Sequence, residues 1–275
     1  MSMSVRLVRL ARHLLLALQF FTRIPVTGRL AQWVGYSPAM LRASAAHFPA
    51  VGWVVGGLTA AVFAVWTIVL PPQPASAWLA AVLSTSFSVV LTGAFHEDGL
   101  ADTADGLGGG LTRERALDIM KDSRIGTYGA IALMLALGTK LGLLVLLAQI
   151  GMASAVTCVF VAHVTSRLMP LFLIRNMVHV GSMPTSKSKP LAEQIDNAGV
   201  FVGLLWWSAS MVLSGFWLPS AHLFAGTLLS AFFALCIAWR LQRRLQGFTG
   251  DGLGATQQMA EIGFLLGVAL AANSA

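Results

Sequence analysis

The chain has 275 residues, of which 56% are hydrophobic and only 11% carry a charged side chain. Soluble domains carry about 25% charged residues, so the composition excludes an ordinary water-soluble protein and indicates a helical bundle in a bilayer. The net charge of +7 does not indicate nucleic-acid binding, because Lys and Arg concentrate in the cytoplasmic loops of membrane proteins.

The N-terminal segment, residues 5–21, is short and contains Arg6, Arg9 and Arg12. A transmembrane helix needs roughly 20 mostly apolar residues. The segment is therefore predicted to be an amphipathic helix that lies on the membrane surface. It resembles a signal peptide, but no small-residue cleavage site follows it, so we expect it to be retained.

Seven later stretches are long and apolar enough to span a membrane. They cover residues 50–70, 76–95, 127–150, 153–174, 199–218, 221–239 and 255–272, the last being weaker because Glu261 interrupts it. No linker or repeat divides them. We therefore expect one domain over residues 1–275, an all-α polytopic membrane bundle with about seven transmembrane helices.

Charge separates the connections into two sets. Residues 71–75, 151–152 and 219–220 contain no Lys or Arg. All basic residues except Lys140 and Arg167 lie in four segments, residues 1–49, 97–126, 175–198 and 240–254. Because Lys and Arg bias sets orientation, these four segments are predicted to face the cytoplasm.

The second of these segments begins with an acidic cluster. Three aspartates stand at i, i+4 and i+7, namely Asp98, Asp102 and Asp105. They share one helical face if the preceding span continues as a helix past His96. Close carboxylates repel one another, and a divalent cation is the usual compensation. Hard oxygen ligands favour Mg²⁺ or Mn²⁺ over zinc.

A second acidic pair follows, in which Asp118 and Asp122 are again four residues apart. The glycine-rich run at residues 106–110 is expected to break the first helix and turn the chain. The result would be a helical hairpin whose two carboxylate faces meet at the membrane boundary. Such a set around two cations is typical of in-line phosphoryl transfer. A merely solvated acidic loop is the alternative.

Basic residues are interleaved with these acids. Lys121 and Arg124, on either side of Ser123, are predicted to bind a substrate phosphate. Arg113 and Arg115 are more typical of surface salt bridges. The basic residues thus suggest that a diphosphate is held beside the metal.

Four polar residues outside this loop are further candidates. Asp251 lies in a glycine-rich turn, where it either binds substrate or caps the last helix. Arg167 stands in mid-span and needs an anionic partner or an aqueous cavity. Glu261 is either functional or the buried partner of Arg167 or Lys140. His96 is predicted to orient a carboxylate or to bind substrate.

Five ordered motifs resemble the cobalamin synthase family, the adenosylcobinamide-GDP ribazoletransferases, over nearly the whole chain. They are FFTRIPV at 20–26, HFPAVG at 47–52, FHEDGLADTADG at 95–106, IMKDSRIGTYG at 119–129 and TGDGLGA at 249–255. The resemblance implies Mg²⁺-dependent joining of α-ribazole or its 5′-phosphate to adenosylcobinamide-GDP with release of GMP. It also implies a multi-pass protein of the bacterial inner membrane whose active site faces the cytoplasm.

A looser similarity connects the acidic loop to the CDP-alcohol phosphatidyltransferases, which open with Asp-x-x-Asp-Gly. Here 102–106 fits that element, but Gly109-Gly110 replaces the Ala-Arg expected there. By analogy, Asp122 is predicted to be the catalytic base, together with Asp105 as a catalytic residue. The predicted metal ligands are Asp98, Asp102, Asp105 and Asp118.

Two other functions stay open at this point. One is a phospholipid-forming CDP-alcohol phosphatidyltransferase, and the other is a transporter. Transporters place ionisable residues near the bilayer midplane, where this chain has Lys140, His163, Arg167 and Glu261. The expected partners are small-molecule substrates and membrane lipid, with no nucleic acid, and the sequence is compatible with an oligomer.

Overall fold

A computed structural model describes residues 3–181 and 195–273. In these ranges the chain is helical, and the one β-bridge joins His179 to Phe248. The helices are α1 (Met3–Phe21), α2 (Gly28–Val34), α3 (Pro38–Ser44), α4 (Phe48–Val69), α5 (Pro74–Thr92), α6 (Phe95–Gly109), α7 (Arg113–Ile119), α8 (Thr127–Ile150), α9 (Met152–Asn176), α10 (Asn197–Ser214), α11 (Ser220–Leu245) and α12 (Gly250–Ala272). The predicted all-α architecture is confirmed.

Among the described residues, seven helical stretches are long and apolar enough to cross a membrane. They are α4 together with the preceding α3, and α5, α8, α9, α10, α11 and α12. The prediction of a polytopic bundle is thereby confirmed. Most predicted ends differ by a few residues. α11 continues to Leu245 rather than ending at Trp239, and the first span, counted with α3, begins at Pro38 rather than Ala50.

Helices α9 and α12 form the centre of the bundle. α12 packs against α6, α8, α9 and α11, and α9 packs against α4 and α10. Close approach of α4 to α9 depends on Gly52 and Gly56, where an added Cβ would lie 2.6 and 2.7 Å from backbone oxygens of α9. Small residues spaced four apart allow such packing where lipid provides no hydrophobic driving force.

The outer helices expose apolar side chains. Val90 on α5, Leu135 on α8, Val212 on α10 and Phe224 on α11 are all exposed. An outward apolar surface of this kind requires a nonpolar solvent. The bundle therefore has a lipid-facing exterior and a polar interior along α9 and α12.

The chain breaks sharply between α5 and α6, so the expected continuation of one helix past His96 does not occur. Gly93 and Ala94 both adopt the left-handed conformation, with φ of 66° and 57°. The Ala94 N–H donates to the Val89 carbonyl at 2.8 Å and closes α5. Because α6 starts anew at Phe95, it packs against α8 and the start of α12.

The glycine-rich run after the acidic residues ends α6, as the sequence predicted. The helix continues to Gly109 and stops at Gly110, which is extended. Gly106 and Gly110 also allow α7 to pack closely, since an added Cβ at Gly110 would lie 2.5 Å from Ala116 Cα. The turn between the two acidic segments therefore lies at the end of the run and is tight.

The described parts of the four charged segments meet at one end of the bundle. The Arg23 N–H donates to the Leu91 carbonyl at 2.7 Å, which ties the N-terminal arm to the end of α5. Arg113 Nε donates to the Leu245 carbonyl at 2.7 Å, and the Val180 N–H donates to the Phe248 carbonyl at 2.9 Å. These contacts gather the polar connections around the first turns of α6 and α12.

Candidate active site

Helices α6 and α12 cross in very close contact near their first turns. An added Cβ at Gly99 would lie 2.8 Å from the Asp251 carbonyl oxygen, and one at Gly254 would lie 3.3 Å from Gly99 Cα. Only glycine at these positions allows the backbones to approach so closely. The contact brings Asp251 of α12 to the face of α6 that carries Asp98 and Asp102.

Asp102 lies at the centre of this acidic group. Partial burial, followed in order of size by the negative charges of Asp98, Asp251 and Asp105, raises the pKa of Asp102 to about 7. The carboxylate is thus surrounded by three others with no cation among the causes of the shift. Repulsion of this kind is the signature of a site built for a positive ligand.

Asp105 uses both carboxylate oxygens to cap α8. Oδ2 accepts from the Gly126 N–H at 2.7 Å, and Oδ1 accepts from the Gly129 N–H at 2.8 Å. An added Cβ at either glycine would lie within 2.5 Å of the Asp105 carboxylate, so both glycines of the GTYG segment make room for it. One lone pair on each oxygen remains for another ligand.

The second acidic pair is exposed and engaged with its basic neighbours. Asp118 Oδ1 lies 3.7 Å from Lys121 Nζ, and Asp122 Oδ2 lies 2.7 Å from Arg124 Nη2. Neither acid is among the charges that raise the pKa of Asp102. The partner that α6 meets across the helix contact is Asp251, so the expected meeting of two carboxylate faces is not what this conformation shows.

Arg124 governs the basicity of Asp122. Its side chain and its backbone N–H both hydrogen-bond to the Asp122 carboxylate, and they lower the pKa of Asp122 to about 2. A general base acts best with a pKa near the working pH. Asp122 is therefore a weak base while Arg124 is bound to it, and becomes a stronger one when Arg124 moves to another anion.

The residues at the crossing of α6 and α12 fit a hard divalent cation by chemistry. All the donors are carboxylate oxygens, which Mg²⁺ prefers. Within the described part of the chain, however, no three His, Cys, Asp or Glu side chains stand close enough to ligate one ion as they are. Rotation of the half-exposed carboxylates is needed to close such a site. The metal-ligand roles of Asp98, Asp102, Asp105 and Asp118 stay predictions.

Thr249, not Asp251, is the N-cap of α12. Its hydroxyl accepts from the Gly252 N–H at 3.0 Å. Asp251 stands in the first helical turn, where the helix dipole favours a negative charge. The Asp251 carboxylate therefore does not cap the helix and lies with the acidic group. This position favours the predicted binding role over the capping role.

His96 and Arg167 are both buried. Burial lowers the pKa of His96 well below its usual value, and the nearby Arg167 charge lowers it further, so the imidazole is neutral. His96 stacks on Phe21 with ring centroids 6.1 Å apart. Arg167 Nη1 donates to the His163 carbonyl at 3.1 Å and lies 3.1 Å from His163 Nδ1. Arg167 and His96 line one aromatic cavity.

A buried polar chain connects the acidic helix to the bundle centre, and the sequence interpretation missed most of it. Glu97 Oε1 accepts from Gln258 Nε2 at 3.0 Å, and Gln258 Nε2 also donates to Gln257 Oε1 at 3.0 Å. Gln257 Nε2 donates to Glu261 Oε2 at 2.8 Å. Glu261 Oε1 pairs with Lys140 Nζ at 2.6 Å, as one of the two predicted alternatives had it.

Two arginines have roles that the sequence analysis did not predict. Arg244 donates to the carbonyls of Leu107 and Gly110 and so satisfies the C-terminal end of α6. Arg113 donates to the Leu245 carbonyl at the end of α11, rather than acting only as a surface charge. The position of Arg244 in the last turn of α11, where a cation is favoured, is a signal that could have identified its role, whereas Arg113 stands at the start of α7 and gave no such signal.

Comparisons with known proteins agree with the geometry. The family model described as cobalamin-5-phosphate synthase matches residues 13–269. The chain is 54% identical to the adenosylcobinamide-GDP ribazoletransferase of Albidiferax ferrireducens, over 94% of this chain and 98% of the relative. It is 50% identical to that of Polaromonas naphthalenivorans, over 96% and 99%, and 43% identical to that of Vibrio cholerae, over 90% and 89%. No solved structure matches.

Proposed function

The chain belongs to the cobalamin-5-phosphate synthase family, and on that premise we propose the reaction it catalyses. It is a membrane transferase that moves the adenosylcobinamide-phosphate group from adenosylcobinamide-GDP to α-ribazole or α-ribazole 5′-phosphate. GMP is released, and adenosylcobalamin or its 5′-phosphate is formed. The relatives' printed names, adenosylcobinamide-GDP ribazoletransferase, support these classes of substrate, and the acidic crossing of α6 and α12 supports a site at that position.

One observation carries the proposal, namely the uncompensated charge around Asp102. Four carboxylates converge from two helices, and their mutual repulsion and burial raise the pKa of Asp102 to about 7. The folded protein tolerates this repulsion between carboxylates where a positively charged ligand binds and neutralises them. The divalent cation that accompanies a bound diphosphate is such a ligand.

Different residues of the chain have different roles in the transfer. A ribose hydroxyl of the nucleophile attacks the phosphorus that carries the cobinamide aminopropanol, and the bond from that phosphorus to the oxygen of the leaving GMP breaks. Asp122 accepts the hydroxyl proton. Lys121 and Arg124 bind the diphosphate oxygens. Transfer of Arg124 from Asp122 to the substrate couples binding to activation, because it restores the basicity of Asp122.

Mg²⁺ would be held by Asp98, Asp102, Asp105 and Asp118, and would neutralise the charge of the diphosphate oxygens. Asp105 can share in this while capping α8, because each of its oxygens retains a lone pair. Asp251 and His96 would orient the substrate beside this group. The positive-inside rule supports a cytoplasmic active site in the inner membrane.

The test is turnover by the purified chain in detergent. We expect GMP, measured by HPLC, to form only when adenosylcobinamide-GDP and α-ribazole 5′-phosphate are both present with Mg²⁺, and EDTA to abolish it. GMP formation that persists in EDTA would contradict the metal role. GMP formation without the ribazole would contradict the transfer.

The same preparation separates the two other functions. Release of CMP from CDP-diacylglycerol, with no GMP from the corrinoid substrate, would favour the phospholipid enzyme. Uptake of unmodified corrinoid by proteoliposomes, with no chemical conversion, would favour the transporter.

A further inference from the structure

An aromatic cavity lies beside the acidic group, among the C-terminal end of α1 and the first turns of α4, α6 and α12. Its volume is about 40 Å³. Four phenylalanines and one fully buried valine line it, namely Phe20, Phe21, Phe48, Phe95 and Val51. Phe21 packs against two of the others, with its ring centroid 4.4 Å from that of Phe48 and 5.5 Å from that of Phe95.

The polar groups of this cavity are few and buried. Arg167 and Gln257 line it together with His96, and Arg167 is 3% exposed. Arg167 Nε has no hydrogen-bond partner among the described residues, although Nη1 is bonded to His163. A buried guanidinium donor without an acceptor is costly, so a ligand that brings an acceptor atom is expected here.

The cavity and the acidic group share their walls. His96 lines the cavity and precedes Asp98 by two residues, and Gly250 lines it and directly precedes Asp251. A molecule seated among the phenylalanines can therefore extend directly to the carboxylates. Phe95 is 37% exposed, and rotation of such a side chain is a common way to admit a ligand.

We propose that this cavity binds the planar aromatic base of the attacking ribonucleoside, with the rings among the phenylalanines and a ring acceptor atom on the Arg167 guanidinium. The inference rests on the proposed function and deepens it. The ribose then lies toward Asp98 and Asp251, at the edge of the acidic group. Four phenylalanines suit an apolar base and leave the several donors of a guanine unpaired. The cavity of about 40 Å³ is smaller than the roughly 150 Å³ site that holds one benzene ring, so Phe95 must turn outward to admit the base, and a corrin ring would need far more space.

The test fills the cavity from one wall. Val51→Phe places a ring in the space that the base would occupy. Val55→Phe is the matched control, since Val55 is also on α4, is equally buried, and does not line this cavity. We expect the KM for α-ribazole 5′-phosphate to rise at least about tenfold in Val51→Phe. It should stay within about twofold in Val55→Phe, and the KM for adenosylcobinamide-GDP should change in neither.

A binding readout separates this inference from the proposed function. α-Ribazole alone should raise the melting temperature of the wild-type chain and of Val55→Phe saturably, and should not raise that of Val51→Phe. Equal stabilisation of all three proteins, or an unchanged KM in Val51→Phe, would overturn the cavity assignment while GMP formation stands. If the wild type binds α-ribazole in this pattern yet forms no GMP, the cavity assignment stands and the proposed reaction fails.

A milder change guards against misfolding. If Val51→Phe does not elute as a single species from size exclusion, Val51→Leu takes its place, because it adds one methylene to the same wall. We expect a KM for α-ribazole 5′-phosphate raised several-fold, roughly threefold or more. A KM equal to that of the wild type would count against the inference.

Discussion

At the scale of single residues, the carboxylates of this site differ in what they already bind. Asp105 caps α8 with both of its oxygens, Asp122 is held by Arg124, and the charges that shift the pKa of Asp102 are all acidic. Aspartates with the same predicted role as metal ligands thus differ in the contacts that already stabilise or destabilise their carboxylates. This difference allows their substitutions to be distinguished by experiment.

Replacing Asp102 by Asn should remove function without removing stability. We expect Asp102→Asn to lower kcat/KM by at least about 10²-fold, comparable with the loss of one electrostatic group from a transition state. The metal-free melting temperature should hold or rise, because a source of repulsion is gone. Glu114→Gln, an exposed acid on α7, is the control and should keep full activity. Full turnover in Asp102→Asn would remove that residue from the site.

The raised pKa of Asp102 also predicts how stability depends on pH. In the folded protein this carboxyl titrates at about 7, against 3.8 ordinarily. Between these values the folded state binds more protons than the unfolded state, so stability falls as pH rises toward 7. We expect the melting temperature in EDTA to be higher at pH 5 than at pH 8. The difference should shrink in Asp102→Asn and when Mg²⁺ is added at pH 8.

Replacing Asp105 should act on stability first. Asp105→Asn keeps one acceptor but turns an amide donor toward the other glycine N–H, which then lacks a partner. We expect a loss of about 1–3 kcal/mol in the free energy of unfolding, measured by chemical denaturation in detergent. Asp98→Asn, at an exposed position, should cost little. Equal stability of the two variants would contradict the capping role.

At the scale of elements, the site is made by one crossing of helices. α6 supplies Asp98 and Asp102, α12 supplies Asp251, and the two glycines between them set their separation. The left-handed pair Gly93 and Ala94 directs α6 into this crossing. An Ala in that conformation costs about 1–2 kcal/mol, which the packing of α6 offsets.

Separating these two helices should weaken metal binding. Gly99→Ala would put a methyl group 2.8 Å from the Asp251 carbonyl oxygen, so the backbones must move apart. Such overpacking costs about 1–3 kcal/mol. We expect a higher Mg²⁺ concentration for half-maximal activity. Gly138→Ala on α8, where an added methyl group meets open space, should match the wild type. An unchanged Mg²⁺ requirement in Gly99→Ala would argue against a site at this crossing.

At the scale of the whole molecule, a lipid-facing shell surrounds a polar axis. Lys140 of α8 and Glu261 of α12 are both about 3% exposed in the core, and the glutamine pair extends this chain to Glu97 on α6. The axis connects the transmembrane core to the acidic helix. The charges of Lys140 and Glu261 balance only when both residues are present.

Removing one charge of the Lys140–Glu261 pair should destabilise the protein more than removing both charges. We expect Lys140→Met to cost about 3–5 kcal/mol, because the buried Glu261 then loses the cation that pairs with it directly at 2.6 Å. Lys140→Met combined with Glu261→Gln should recover much of that loss. Thermal unfolding of the single and double variants, in one detergent, provides the measurement. A double variant less stable than Lys140→Met would show that the pair is not the relevant contact.

The sequence by itself determined the class of fold, the number of spans and the family, because apolar length, the position of Lys and Arg, and ordered motifs are local properties of the chain. It also identified the acidic residues and the alternative that pairs Glu261 with Lys140. Only the tertiary structure decided which carboxylates meet. Asp251 joins Asp98 and Asp102, while Asp118 and Asp122 turn to Lys121 and Arg124. The reason is physical. Two left-handed residues set the direction in which α6 leaves α5, and two facing glycines set how closely it approaches α12. The helical spacing of the aspartates in the sequence gives neither this direction nor this distance.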